Sequence, residues 1–311
     1  MWSRDEFEQR LRRVGEEHYH DKHPFNLRMH DGTLTREELR TWVLNRYYYQ
    51  TRIPVKDGLI LSKARDPAFR REWLHRLQDH DGLKAGEGGL EQWLDLASAV
   101  GLDRAEVLGL RGVLPGVRAA CDEYVRFVEA NDLLASVAAS LTELFAGDIM
   151  RRRIAAFEQH YPWVRTEGLR YFQSRTRQAP QDAAFGLHFV LEQASRVEDQ
   201  IRCVAALEKK CEILWRLLDA VDAASRRTRL SRHAQLRSDS ATHETLVVLP
   251  ERAVRLNASG REILELCDGV RSAVEIARAL GSRHPEIDQV ESDVHHFLEQ
   301  MERVGVLEVT S

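Results

Sequence analysis

Three pairs of side chains carry most of the chemistry open to this sequence: Arg46 with Gln50, Arg76 with His80, and Tyr171 with Arg175. The partners in each pair are four residues apart, so a helix stacks them on one face. On a solvated helix such a pair is an ordinary surface feature. Here the flanks are Trp42, Tyr47, Trp73, Leu77 and Phe172, so these helices are not polar all round. Convergence of the three faces would place Arg46, Arg76 and Arg175 around one imidazole. Guanidinium forks match carboxylates bidentately, so that pocket suits a ligand bearing several carboxylates. His80 is the group able to move protons near neutral pH. Lys210, beside an apolar stripe in LEKKCEILW, adds a further cation.

Competing chemistries are weaker. Glu17-x-x-His20 and Glu72-x-x-His75 have the spacing used by di-iron carboxylate bundles, but no matching pair of glutamates is evident on other helices. With Arg76 and His80 turned inward, His75 is rotated by about 100° from Arg76. No metal site is therefore expected. No Ser or Cys lies in a nucleophile elbow, and GEGG at 86–89 sits between helices rather than after a strand. Cys121, Cys203, Cys211 and Cys267 form no C-x-x-C pair and read as buried small hydrophobes.

The element that must position the first pair is the stretch Trp42–Asp57 (WVLNRYYYQTRIPVKD), a helix that Pro54 is expected to kink or end just after Thr51. Further helices are predicted near 5–20, 67–80, 89–101, 115–130, 132–159, 161–178, 180–195 and 196–223, with Pro180 closing one and opening the next. Residues 1–224 thus read as one all-helical domain. Residues 225–238 carry five arginines and no acid up to Arg237, and read as a solvated basic linker.

The pattern changes over 239–311. Short β-rich runs at 245–250 and 253–256, three helices at 258–266, 272–281 and 286–303, and a closing strand at 306–309 predict a small α+β winged helix-turn-helix-like domain. Its fourteen acids against seven arginines disfavour DNA phosphates. Peptide addition along a strand edge is the more natural use, in a groove between the sheet and helix 286–303 that includes Asp293 and Phe297. The whole chain, 311 residues with a net charge of −4, gives no global argument for nucleic acid. No window is expected to reach the ~18 apolar residues of a membrane span, and the charged N-terminus lacks a signal core, so a cytoplasmic location is expected.

Several of these motifs resemble a known family. YHDKHPF (Tyr19–Phe25), NRYYYQTRIPVKD (Asn45–Asp57), DHDG (Asp79–Gly82), EGGLEQWL, VLPGVR, ASLTELF (Ala139–Phe145), QHYPW, YFQSR (Tyr171–Arg175) and KCEILW are similar to the PqqC family of pyrroloquinoline-quinone synthases, in collinear order over residues 5 to 223. VVLPE (Val247–Glu251), VRLNASGREILELCDGVRSAVEIA and SDVHHFLEQM resemble PqqD, a peptide-recognition module, so the chain is similar to a natural PqqC/D fusion.

The resemblance implies a mainly α, haem-oxygenase/TenA-like bundle acting as a homodimer without metal or organic cofactor. It implies oxygen-dependent ring closure and oxidation of a quinone precursor with several carboxylates, releasing hydrogen peroxide. It further implies that Arg46, Gln50, Arg76, Tyr124 and Lys210 hold the substrate and that His80 is the general base. His20 and Tyr19 would bind and shuttle protons, Tyr171 and Arg175 would flank the oxygen site, and Thr142 would line the same cavity. Met150 departs from the pattern, since some members carry histidine there. The partners implied are the precursor peptide and the radical enzyme, using S-adenosylmethionine, that modifies it. The alternatives on such a bundle are a thiaminase-like hydrolase, which needs a cysteine nucleophile, a di-iron oxidase, and a regulator acting through the winged tail.

Overall fold

The structure, a computed structural model, describes residues 1–238, 245–287 and 289–310. The chain divides into two compact units, Met1–Val221 and Asp222–Ser311. The first is helical: α1 (Arg4–His18), α2 (Pro24–His30), α3 (Arg36–Lys63), α4 (Pro67–Asp81), α5 (Gly88–Ala99), α6 (Arg104–Leu108), α7 (Pro115–Ala130), α8 (Leu133–Ala139), α9 (Ala146–His160), α10 (Arg170–Gln193) and α11 (Val197–Ala224). Capping boxes start α1 at Ser3/Glu6 and α3 at Thr35/Glu38, each satisfying two otherwise orphaned backbone donors.

The unit is arranged around α3, in which every residue from Thr41 to Gln50 is buried. A helix covered on all sides needs neighbours on all sides, and α4, α5, α7 and α8 supply them. This explains why the expected break at Pro54 does not occur. The ring costs one backbone hydrogen bond, but the packing around Ile53, Lys56, Asp57 and Ile60 carries the helix on to Lys63. Pro180 likewise lies inside α10, because Ala179, Ala183, Gly186 and Leu187 continue one buried face across it. The predicted helix 132–159 is broken instead, with a 3₁₀ stretch, Ser140–Phe145, between α8 and α9. That tighter turn redirects Thr142 and Glu143.

An 18-residue window within Leu133–His160 reaches a mean hydropathy of 1.4, enough to pass as a membrane-crossing segment by length and composition. Its apolarity has another use, since 61% of the window is buried within the protein.

The second unit corrects the basic linker. Arg227–Leu230 (β1) and Gln235–Ser238 (β2) are strands, followed by β3 (Thr245–Leu249), β4 (Arg252–Leu256), α12 (Ala258–Leu266), β5 (Asp268–Ser272), α13 (Ala273–Arg283), α14 (Val290–Arg303) and β6 (Leu307–Thr310). Two antiparallel sheets result, ordered β5–β1–β6 and β2–β3–β4. The strand signal of 225–238 was masked because its arginines alternate with the residues that matter, as in Arg227–Thr228–Arg229, where Thr228 is buried and both arginines are exposed. The core is Val247, Ile263, Ile276, Leu280, Val294, Leu298 and Val306 with their neighbours.

Candidate active site

All eleven residues singled out in the first unit, Tyr19, His20, Arg46, Gln50, Arg76, His80, Tyr124, Thr142, Tyr171, Arg175 and Lys210, are buried in its interior. They do not surround one imidazole. They fall into two groups with opposite charge accounting.

The first group gathers where α3, α4, the 3₁₀ stretch and α10 meet. Asp57 accepts from Trp73 Nε1 at 2.9 Å and pairs with Lys56 Nζ at 2.6 Å. Arg76 stacks on Trp73 and reaches Glu143 Oε1 at 2.6 Å, Asp57 Oδ1 at 3.6 Å and Asp182 Oδ1 at 3.8 Å. Arg175 meets Glu143 at 3.4 Å and Asp182 at 3.2 Å. Three cations thus stand against three carboxylates. Burial opposes the charge on Arg76, but Glu143, Asp57 and Asp182 outweigh it and push its pKa up. Glu143 is pushed down for the reciprocal reason: burial works against its charge, and Arg76, Arg175 and Lys56 prevail. Asp182 rises to about 6 through burial and the adjacent Glu143.

His80 lies beside this group. Its Nδ1 is 3.1 Å from the Arg76 carbonyl, which fixes the proton on Nδ1 and leaves Nε2 as an acceptor without a partner among the described residues. Burial, and then the Arg175 charge, lowers its pKa to about 4, so the ring is neutral at physiological pH.

The second group has no such balance. Arg46 covers the Tyr49 ring at 3.9 Å, Lys210 sits 3.4 Å above Tyr124 and 4.3 Å above Tyr49, and Arg153 lies 5.1 Å over Trp42. Aromatic faces are their main neighbours, and among the described residues no carboxylate pairs with any of the three. Arg46 Nε, Arg153 Nε and Lys210 Nζ have no hydrogen-bond partner there. Arg153 donates to Asn26 Oδ1 at 3.1 Å, and Asn26 in turn donates to the His20 carbonyl at 2.6 Å. Burial and the neighbouring Arg46 push Arg153 down to about 9 and Lys210 well below its usual range. His20, both of whose ring nitrogens lack a partner among the described residues, is pushed well down by burial and then by Arg46, Arg153 and Lys210.

Gln50, Tyr171 and Tyr124 join the two groups. The Tyr171 hydroxyl donates to Gln50 Oε1 at 3.0 Å, its ring meets Trp93 edge-on, and Gln50 Nε2 is left unpartnered. Tyr124 Oη is 3.3 Å from Ser140 Oγ, which also accepts from Lys56. Buried polar atoms without partners cost several kcal/mol together unless a ligand satisfies them, and they are concentrated here.

Sequence reasoning missed Arg153, Lys56, Asp57, Glu143 and Asp182 as members of the site. Arg153 was legible: in the RRR run of α9 it alone falls on the stripe of Met150, Ala156 and Phe157 that is buried. Glu143 and Asp182 were not, because both depend on departures from the expected helix boundaries. Met150 is buried on the same face as Arg153. The di-iron spacing does not produce a cluster. Glu17, Glu72 and His75 are exposed whereas His20 is buried, and no group of three or more His, Cys, Asp or Glu side chains is placed to hold a metal among the described residues. All four thiols are buried, which pushes Cys121, Cys203 and Cys211 up to about 12 and Cys267 to about 11, far from a reactive thiolate. In the second unit Asp293 is exposed at the start of α14, while Phe297 packs on Gly260 of α12 and against the core.

The sequence profile of the TENA/THI-4/PQQC family matches residues 8–220, and that of coenzyme PQQ synthesis protein D matches residues 244–307. The pyrroloquinoline-quinone synthase of Rhizobium rhizogenes is 49% identical over 222 residues, covering 71% of this chain and 90% of that protein. The bifunctional coenzyme PQQ synthesis protein C/D of Methylorubrum extorquens is 35% identical in an alignment covering 99% of this chain and 96% of that protein. Among solved structures, a domain from Shewanella denitrificans described as having a heme oxygenase-like fold superposes with TM-score 0.59 at 16% identity, covering 71% of this chain and 92% of that one. A TenA homolog from Pseudomonas syringae does so with TM-score 0.56 at 14% identity, covering 70% and 92%. These last two bear on the fold of the helical unit alone.

Proposed function

The chain belongs to the TENA/THI-4/PQQC family, and on that footing we propose that it performs the oxygen-dependent ring closure and oxidation of a quinone precursor to pyrroloquinoline quinone. It is an oxidoreductase of that biosynthesis, as its synthase relatives are. The observation that carries the reading is the pairing of a buried, uncompensated cationic group with a buried, neutral imidazole whose Nε2 is unpartnered.

In this reading Arg46, Arg153 and Lys210 receive substrate carboxylates, and Gln50, Arg76, Tyr124 and Thr142 line the ring. His80 Nε2 takes the carbon-bound proton, the task for which a buried neutral imidazole is suited. His20 and Tyr19 carry protons at the cationic end. Tyr171 and Arg175 stand beside oxygen as it accepts two electrons and two protons to leave as hydrogen peroxide, the guanidinium stabilising the reduced species. The substrate's own quinone and quinol states handle the electrons, with no metal or organic cofactor. The helical unit works as a homodimer. The second unit binds the precursor peptide and meets the radical enzyme that modifies it, as its PqqD match favours.

The test is incubation of metal-stripped protein with the reduced-ring quinone precursor, first without and then with oxygen, following absorbance and peroxide. Product and peroxide are expected only after oxygen is admitted. Activity that returns only on adding iron would sink the cofactor-free part of the reading, and no turnover under any condition would sink the whole.

A further inference from the structure

Glu143 occupies an unusual position in this site. It is carried by the 3₁₀ stretch between α8 and α9, and its Oε1 lies 2.6 Å from Arg76 and 3.4 Å from Arg175. With Asp57 and Asp182, it places a carboxylate within ion-pair distance of each guanidinium nitrogen of Arg76, while Arg76 Nε and Arg175 Nη1 keep no hydrogen-bond partner among the described residues. A carboxylate oxygen shared between two guanidinium groups takes a position for which a substrate carboxylate would otherwise compete. The cationic group has no counterpart to Glu143. Arg46 and Lys56 act on Lys210, and Arg46, Arg153 and Lys210 act on His20, all of them disfavouring a further positive charge.

We infer that Glu143 is a positioning and specificity residue that neutralises Arg76 and Arg175 where one nitrogen of each meets its Oε1. The site then recruits carboxylates only at the end formed by Arg46, Arg153 and Lys210. A ligand with carboxylates at both ends would otherwise bind in either direction, and only one direction brings its ring proton to His80. Glu143 removes the wrong direction by charge: a second carboxylate arriving at Arg76 meets a neutralised arginine and the Oε2 of Glu143, which has no partner among the described residues. This inference rests on the substrate class proposed above, but its test needs no turnover.

Full-length protein would be titrated calorimetrically with benzoate, benzene-1,3-dicarboxylate and benzene-1,3,5-tricarboxylate. The wild type is expected to gain affinity from one to two carboxylates and little from the third. Glu143→Gln should bind the tricarboxylate roughly tenfold more tightly than wild type, about 1.4 kcal/mol. In turnover, the same variant should lower KM and kcat together, because tighter binding now includes the unproductive direction. A merely structural defect lowers kcat without tightening KM. Glu143→Gln that binds all three probes as wild type does, or less tightly, overturns the inference. Should that variant fail to fold by circular dichroism, Asp182→Asn, which removes a second counter-charge from the same two arginines, must tighten tricarboxylate binding roughly threefold (about 0.65 kcal/mol) or the inference falls. The probe series can behave as stated in a protein that never converts the quinone precursor. That result would refute the proposed function and leave the role of Glu143 standing.

Discussion

The two buried groups both draw on arginine and lysine, and α3 contributes to each, yet one is balanced by carboxylates and the other is not. Around Arg76 each cation has a carboxylate within ion-pair distance, supplied by α3, the 3₁₀ stretch and α10. Around Lys210 the cations face aromatic rings. Burying a charge without a counter-charge costs far more than burying a pair, so a fold keeps such an arrangement only where something else provides the missing charge. In the proposed reading the first group holds His80 in place and presents Arg175 to oxygen, and the second receives the carboxylates of the substrate.

The largest effect expected is on chemistry. His80→Ala should fold and still bind the carboxylate probes, but lose turnover by about a thousandfold, within the usual range for a general base. Stopped assays with peroxide detection would show it, and a fully active variant would make the comparison wrong about which group does chemistry. Next comes acid. The folded pKa of His80, about 4, lies below its ordinary 6.5, so the unfolded chain binds the proton more readily. Stability should fall as pH drops from about 6.5 towards 4, by up to about 3 kcal/mol from this residue. Urea midpoints at pH 7.5 and 5 would measure it, and His80→Ala should flatten the dependence. If the acid limb of kcat/KM falls near 6.5 instead of near 4, the imidazole is not held neutral.

A smaller effect sharpens the contrast directly. Lys210→Met should weaken dicarboxylate binding roughly ten- to a hundredfold, as loss of a charged hydrogen bond would. It should also raise the unfolding midpoint of the free protein, by about 2–4 °C for each kcal/mol recovered. Asp57→Asn, in the neutral group, should lower that midpoint. Both midpoints moving in the same direction would show that the two groups do not differ. The smallest effect marks the boundary of the comparison. Asp293→Ala and Phe297→Ala should weaken binding of the precursor peptide by about 1–2 kcal/mol each and leave carboxylate binding unaltered. Unchanged peptide affinity, read by fluorescence anisotropy, would place the groove elsewhere.

Much of this arrangement was legible in the sequence and some was not, for reasons visible in particular residues. Arg46, Gln50, Arg76, His80, Tyr171 and Arg175 could be paired because helix periodicity is local, and it put each pair on one buried face as expected. Which pairs share a neighbourhood depends on how helices cross, and spacing does not encode that. Pro54 and Pro180 misled because a local rule was applied where tertiary packing decides. The exposed arginines of 225–238 misled in the opposite way, by concealing a strand whose inward position is a threonine.

β1 has a consequence for how the chain can be divided. It pairs with β5 on one side and β6 on the other, and those two strands have no pairing with each other. A fragment begun at Asp239, where composition changes, would lack the middle strand of this sheet. It would present two sticky β-edges in place of a closed ladder, an open template for self-association. A fragment begun at Asp222 would retain the strand. The stretch that looks most expendable in the sequence is thus one that an autonomous fragment of the second unit has to bring with it.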